Sequence, residues 1–350
     1  MTNNEQFTLE RRGIVMAPDM SRSYEAGGVL NPATARHNGV AYLLYRAVAE
    51  VPHNYSRIML AELQPKGDGL TAHRMDLCAL EPREPYELWQ DGVHGGVEDP
   101  RVTPLEDGSY IMAYTAYGDG PGGDAIPRIA LARSNNLLEW TRLGLIKYSP
   151  LELQGRSGQT FTIDMQTISN KDAMLFPEKI GGRYVLMHRP TFPPAIARDH
   201  GEPASIWLSY SDDLLTWTDH TLVLGPAASW ERLKTGGGTP PLRTGQGWLI
   251  FYHAVDGDGD ADPDRRYLAG AALLDLADPR KVLYRSAEPV LSPGTREEQV
   301  GIVNNVVFPT GVLPLPDGRV QVIYGMADQA IGLAETIRPV FPAEDGLSSL

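Results

Sequence analysis

The feature that most constrains this chain is a recurrence. Five times along its 350 residues, a turn leads into a short aromatic or β-branched run and then into a second apolar run. The first runs are 40–46 (VAYLLYR), 110–115 (YIMAYT), 184–189 (YVLMHR), 248–253 (WLIFYH) and 320–325 (VQVIYG). Each follows turn chemistry, at Asn38-Gly39, Asp107-Gly108, Gly181-Gly182, Gly245-Gln246-Gly247 and Asp317-Gly318, the residue types that tight hairpins demand. The second runs are 57–63 (RIMLAEL), 128–134 (RIALARS), 205–211 (SIWLSYS), 267–274 (YLAGAALL) and 330–335 (AIGLAE). Two units echo each other further, at 134–141 (SNNLLEWT) and 211–218 (SDDLLTWT). The period is roughly 70 residues, so five units consume the chain.

A strand unit that cannot bury both faces alone must stack on neighbours, and radial stacking closes into a propeller. The sequence therefore predicts an all-β chain, with residues 1–350 forming a single five-bladed β-propeller domain and its active site in the central channel. Helical periodicity is hard to find, and 36 Gly with 28 Pro suit many tight turns. Each first run ends in a polar or small residue, Arg46, Thr115, Arg189, His253 or Gly325. A propeller turns such distant positions into one site.

The net charge of −13 argues against a nucleic-acid partner and against docking on anionic lipid. No stretch approaches the length of a membrane span, and the polar N-terminus has no apolar signal core. These features read as a soluble, cytoplasmic protein. The lone Cys78 excludes an intrachain disulfide and reads as a structural thiol. The acidic loop 256–264 (DGDGDADPD) has Ala261 where a calcium loop needs Gly and Tyr267 where it needs Glu. It reads as solvated, and no metal site is expected.

Two groups of residues can carry chemistry. The segment 95–101 (GGVEDPR) sets Glu98 and Asp99 between paired glycines and a proline. An acid there can protonate a leaving oxygen if a dry pocket raises its pKa; a capped surface turn would be spelled the same way. The second group is cationic. Arg189 and His253 end equivalent runs in adjacent units, and Lys171 and Lys234 sit just ahead of those runs. Converging on one channel they would bind an anion, with the glycines 236–238 offering backbone N–H groups; scattered, they would be ordinary surface charges.

These segments resemble glycoside hydrolase family 130, the β-mannoside phosphorylases and mannosidases. The matching runs are 97–117, 171–190, 237–255, 267–285, 304–311 (NNVVFPTG) and 324–328 (YGMAD). Together they span Asn31 to Asp328. The resemblance implies a five-bladed propeller and an inverting reaction in which Asp99 is the general acid, acting through a mannose hydroxyl. It implies that Asn31, Arg46, Arg57 and Asp328 hold the mannosyl unit, and that Lys171, Arg189, Lys234 and His253 hold phosphate. Lys171-Asp172 departs from the Arg-Asn pair of some phosphorylases.

An inverting hydrolase needs a second carboxylate to activate water, about 6.5–9.5 Å from the first. A phosphorylase needs cations that align phosphate with the anomeric carbon. The cations favour phosphorolysis: a β-mannooligosaccharide or mannosyl disaccharide and inorganic phosphate give α-mannose 1-phosphate, reversibly. In that reading the enzyme transfers a mannosyl group and needs no cofactor besides phosphate as co-substrate. The alternatives are a β-mannosidase using Glu98 or Asp328 as base, and a non-catalytic glycan-binding propeller. The segments 118–125 and 155–166 are candidates for acceptor recognition, and a homo-oligomer could complete the acceptor pocket.

Overall fold

The computed structural model describes residues 7–50, 55–91, 93–259 and 261–340. The N-terminal residues 1–6 and Asp260 of the acidic loop, both used above, lie outside them. The described chain is all-β, with two α-helices of one or two turns, Pro194–His200 and Arg296–Gln299, and a single 3-10 turn, Pro85–Glu87.

The strands fall into antiparallel groups in chain order. The first is Gly28–His37, Val40–Ala49, Tyr55–Lys66 and Gly69–Leu80; the second is Gly95–Pro104, Tyr110–Asp119, Ala125–Ser134 and Thr141–Leu145. A two-pair parallel contact, Tyr55 to Gly95 and Ser56 to Gly96, joins these into one eight-stranded sheet. The third group runs Asn170–Leu175, Tyr184–Pro190, Ile206–Ser211, Thr216–Leu224, with Lys147–Tyr148 at its far edge. The fourth is built on Lys234–Gly236, Gly247–Asp256, Arg266–Leu274 and Val282–Arg285. The last joins Val307–Pro314, Val320–Met326 and Ala330–Thr336 to the N-terminal strand Leu9–Met16, with Leu9 opposite Thr336.

Both faces of each sheet are buried, which explains the near-continuous apolar runs. Successive residues of a strand point to opposite faces. In Val40–Ala49, Tyr42 and Leu44 join Met112 and Tyr114 of the second group. Leu43 and Tyr45 join Ile323 and Leu333 of the last. The same alternation links Leu131 with Leu186 and Trp207, Met187 with Ile250 and Leu268, and Phe251 with Val322 and Tyr324. Five apolar clusters thus connect each group to the next and the last back to the first.

Four groups also share a polar device that the sequence repeat does not show. The tyrosine just before each run's terminal residue donates to a fully buried glutamate, Tyr45 to Glu25, Tyr114 to Glu87, Tyr252 to Glu231 and Tyr324 to Glu298, at 2.6–2.8 Å. An arginine closes each cluster: Arg74, Arg142, Arg285 and Arg11. In the third group His188 replaces the tyrosine, with Nδ1 on Asn170 (3.1 Å) and Nε2 on Ser209 (2.7 Å).

The sequence repeat captured only the second and third strands of each group. The first strand lies at the inner edge of its group, and these strands pack on one another: Gly28–His37 on Gly95–Pro104 and Val307–Pro314, and Gly95–Pro104 on Asn170–Leu175. Four of them are interrupted by a register shift, at Leu30/Ala33, Glu98/Arg101, Lys171/Met174 and Pro309/Gly311. Such bulges erase the alternation that betrays a strand.

Candidate active site

The bulges build the site. Asn31, Asp99 and Asp172 each occupy the irregular step of their edge strand, with φ of +44°, +48° and +59°. This left-handed region is uncommon outside glycine and best tolerated by Asn and Asp. The kink turns each side chain out of the pleat, toward the place where the edge strands meet.

There Asn31 Nδ2 donates to Asp99 Oδ1 at 2.9 Å. Arg46 spans two carboxylates, with NH1 3.1 Å from Asp99 Oδ1 and NH2 2.7 Å from Glu98 Oε1, while its Nε donates to Ser56 Oγ. Asn31, Glu98 and Asp99 are all buried. Asp328, at φ +53°, sits in the turn between Val320–Met326 and Ala330–Thr336 of the last group. Its carboxyl is pushed up to about 6 by burial, Arg46 and Lys171 opposing and Asp99 adding to the shift.

Asp99 departs from the sequence expectation of a raised pKa. Burial does favour the neutral acid, but Arg46, Arg101, Lys171 and the Asn31 amide outweigh it and hold the carboxyl below its ordinary value. Glu98 goes the other way: burial raises it, Arg46 offsets that in part, and Asp99 adds to it. Adjacent carboxyls are therefore driven apart, one ionised and one inclined to keep its proton.

Arg101 links this acid cluster to the cations. It is almost wholly buried, donates from NH1 to the Asp99 carbonyl (2.9 Å), and bonds the carbonyls of Gly237 and Gly238, each at 3.1 Å. Its NH2 also lies 3.7 Å from Asp172 Oδ1. On the other side Arg189 Nε is 2.7 Å from Asp172 Oδ2, and His253 Nε2 is 3.7 Å from that oxygen. Lys171 pairs across the strands with Arg189, and its charge reaches Glu98, Asp99, Asp172 and Asp328. Lys234 Nζ lies 5.8 Å from the centre of the Tyr267 ring. His253 rests on Phe308, ring centres 4.4 Å apart.

Two expectations change. His253 is not a cation: burial lowers its pKa to about 3, Asp172 opposing only in part, so the ring is neutral. Among the glycines after Lys234, the Gly238 N–H is taken by Met174 Sδ, and Gly237 offers its carbonyl to Arg101 and His253 Nδ1. They are glycines because nothing else fits. A Cβ on Gly236 would fall 2.3 Å from His253 Cε1, and one on Gly237 would fall 2.2 Å from the Asp172 carbonyl.

Of the residues picked from sequence, Asn31, Arg46, Asp99, Asp328, Lys171, Arg189 and His253 gather here, with Lys234 beside Tyr267. Arg57 does not join them: it pairs with Glu81 at 3.2 Å and lies against Tyr24 and Tyr55. Sequence reasoning missed Arg101 and the central place of Asp172. The 118–125 segment lies near Trp89, whose ring packs on Tyr117 and His94 at 5.4 and 5.1 Å. The 155–166 segment closes a small hairpin, Leu151–Gln154 with Thr160–Ile163, tied to Asp199 through Ser157.

At the start of the acidic loop Asp256 lies between Arg232 and Arg266, at 2.7 Å from each. Among the described residues no group of three or more His, Cys, Asp or Glu is arranged to hold a metal ion. Burial pushes the Cys78 thiol up to about 11, which makes it a poor nucleophile near neutrality. No described helix is long and apolar enough to cross a membrane.

A sequence model for the family described as β-1,4-mannooligosaccharide phosphorylase matches residues 5–341. The chain belongs to glycoside hydrolase family 130. A relative from Thermoanaerobacter sp. (strain X514), a 1,2-β-oligomannan phosphorylase, is 37% identical over 323 residues, covering 91% of this chain and 93% of the relative. A β-1,2-mannobiose phosphorylase from the same organism is 34% identical over 330 residues, with the same coverage of 91% and 93%. Among solved structures, the β-1,2-mannobiose phosphorylase of Listeria innocua in complex with β-1,2-mannobiose superposes with a TM-score of 0.72 at 25% identity. That match covers 94% of this chain and 96% of the other.

Proposed function

We propose that this protein is an inverting β-mannoside phosphorylase, acting on β-1,2-linked mannooligosaccharides and built as a five-bladed propeller. The fold reading is supported by five strand groups whose apolar clusters run from each to the next and return to the first. The observation that carries the function is the bridge made by Arg101. One guanidinium ties the backbone of the proposed acid, Asp99, to the carboxylate around which Arg189 and His253 assemble. Proton donor and cations thus share one site. The β-1,2 linkage follows the names of the two relatives that span nearly the whole chain.

In phosphorolysis an oxygen of hydrogen phosphate attacks the anomeric carbon from the face opposite the leaving group. The glycosidic bond breaks with its electron pair on the leaving oxygen, and that oxygen takes the Asp99 proton through a mannose hydroxyl. Ionised Asp99, free acceptor and α-mannose 1-phosphate monoanion result, and the product then returns a proton to the solvent or to Asp99. Arg46 and Asn31 fix Asp99, and with Asp328 they hold the mannosyl ring. Lys171, Arg189, Lys234 and neutral His253 hold the phosphate, and no cofactor is required. The depressed pKa of Asp99 suits the reverse direction, in which an ionised carboxylate accepts the acceptor's proton. A bound phosphate dianion would offset the cations that depress it.

Hydrolysis is the second reading, because Asp328, pushed up to about 6, has the pKa of a serviceable base beside Asp99. The synthetic direction separates the two. With α-mannose 1-phosphate and mannose, a phosphorylase releases inorganic phosphate and forms a β-linked disaccharide. Phosphate release with only free mannose as the sugar product, or no release at all, would reject phosphorolysis.

A further inference from the structure

The cation cluster has a buried carboxylate at its centre. Asp172 is 1% exposed, and among the described residues neither of its oxygens accepts a hydrogen bond. Arg189 Nε is 2.7 Å away, yet it too lacks a hydrogen-bond partner, so its N–H does not point at the carboxylate. His253 stands beside it as a second acceptor. Its Nδ1 is 3.0 Å from the carbonyl of Gly237. A carbonyl can only accept, so Nδ1 carries the proton, and in the neutral ring Nε2 is a lone pair. That lone pair lies 3.7 Å from Asp172 Oδ2. Gly236 closes over both, where a Cβ would fall 2.7 Å from Oδ2 and 2.5 Å from Nε2.

A site built only for negative charge would present donors. This one presents two buried acceptors within a ring of cations: Arg101, Arg189 and Lys171 face Asp172. Unsatisfied buried acceptors call for a donor. Resting on the phosphorylase reading, we propose that Asp172, seconded by His253 Nε2, admits an oxyanion only if one of its oxygens is protonated, so that the site takes hydrogen phosphate and refuses sulfate. Near neutral pH phosphate keeps a proton, and sulfate has none to give. A fully deprotonated oxyanion would set a bare oxygen against a carboxylate, an unfavourable like-charge contact. A protonated oxygen donates there while the remaining oxygens meet the cations. The oxygen that attacks the anomeric carbon is a different, unprotonated one, so selection does not consume the nucleophile.

The test measures sulfate as a competitor of phosphate in β-1,2-mannobiose phosphorolysis, for the wild type and for Asp172→Asn. In the wild type the sulfate inhibition constant should exceed the phosphate KM by about 100-fold or more. An asparagine amide can donate to any oxyanion, so in the variant that ratio should fall to about tenfold or less. An unchanged ratio, with both anions weakened alike, would mean that Asp172 only orients Arg189, and would overturn the inference. Calorimetric titration of the wild type with each anion needs no variant: sulfate bound within about tenfold of phosphate would equally overturn it. Turnover that is indifferent to phosphate, with neither anion bound, would remove the phosphorylase reading and this inference together. Phosphate-dependent turnover with strong sulfate competition removes the inference alone.

Discussion

Replacing Asp328 by asparagine should make the protein more stable, and by an amount that depends on pH. The carboxyl ordinarily titrates at 3.8 and is raised to about 6 by burial, with the Asp99 charge adding to it. The folded state binds this proton more tightly than the unfolded chain. Stability is therefore fully present below about pH 4, is lost as pH rises toward 6, and stays low above it. A shift of about two units corresponds to about 3 kcal/mol, and water at the partly exposed carboxylate lowers this to about 2. Asparagine keeps the shape without the charge. Arg46 is not orphaned by the change, since it retains Glu98 at 2.7 Å and Asp99 at 3.1 Å. Urea unfolding of both proteins at pH 8 and pH 5 is the assay. The variant should gain about 2 kcal/mol at pH 8 and about half of that at pH 5. Activity should fall at both, the usual cost of relieving a charged site. A variant less stable than the wild type at pH 8, or a gain that ignores pH, would refute the electrostatic account of this carboxyl.

Asp99→Asn should lower turnover by roughly 10²–10⁴-fold, the span of a lost general acid, with an unfolding midpoint close to that of the wild type; near-normal rates would exclude Asp99 as the acid. Arg189→Ala should raise the phosphate KM about tenfold or more, with a smaller change in the mannoside KM. Equal effects on both constants would place Arg189 outside the phosphate site. Glu231→Ala should cost about 3–5 kcal/mol in a denaturant titration, because it leaves Arg285 and the Tyr252 hydroxyl without their buried partner. A loss under about 1 kcal/mol would show that the Glu–Tyr–Arg cluster does not hold its sheet.

The repeat was legible because the second and third strands of each group are regular. Stretches such as 41–45 and 248–252 bury both faces and so stay apolar throughout. The edge strands carry Asn31, Asp99 and Asp172, and they were invisible as strands for the reason that makes them useful: each is bulged there, and Pro32 and Pro100 follow two of the kinks. The buried glutamates escaped notice because Glu25, Glu87, Glu231 and Glu298 sit in connecting segments at no fixed distance from their tyrosines. Asp99 was picked out by its glycine and proline neighbours, and its carboxyl lies below the ordinary value where a dry pocket alone would raise it. Spacing shows the glycines and the proline around it, but not that Arg46, Arg101 and Lys171 converge on it from three groups. Asp172 registered only as a departure from an Arg-Asn pair, since its neighbours Arg189 and His253 meet it through tertiary packing alone.

The most direct test is to give the purified protein β-1,2-mannobiose with and without inorganic phosphate and follow the anomeric centre by NMR. The account predicts α-mannose 1-phosphate as the first product, equimolar with the mannose released, and no cleavage without phosphate. Free mannose forming at the same rate in both samples would contradict it.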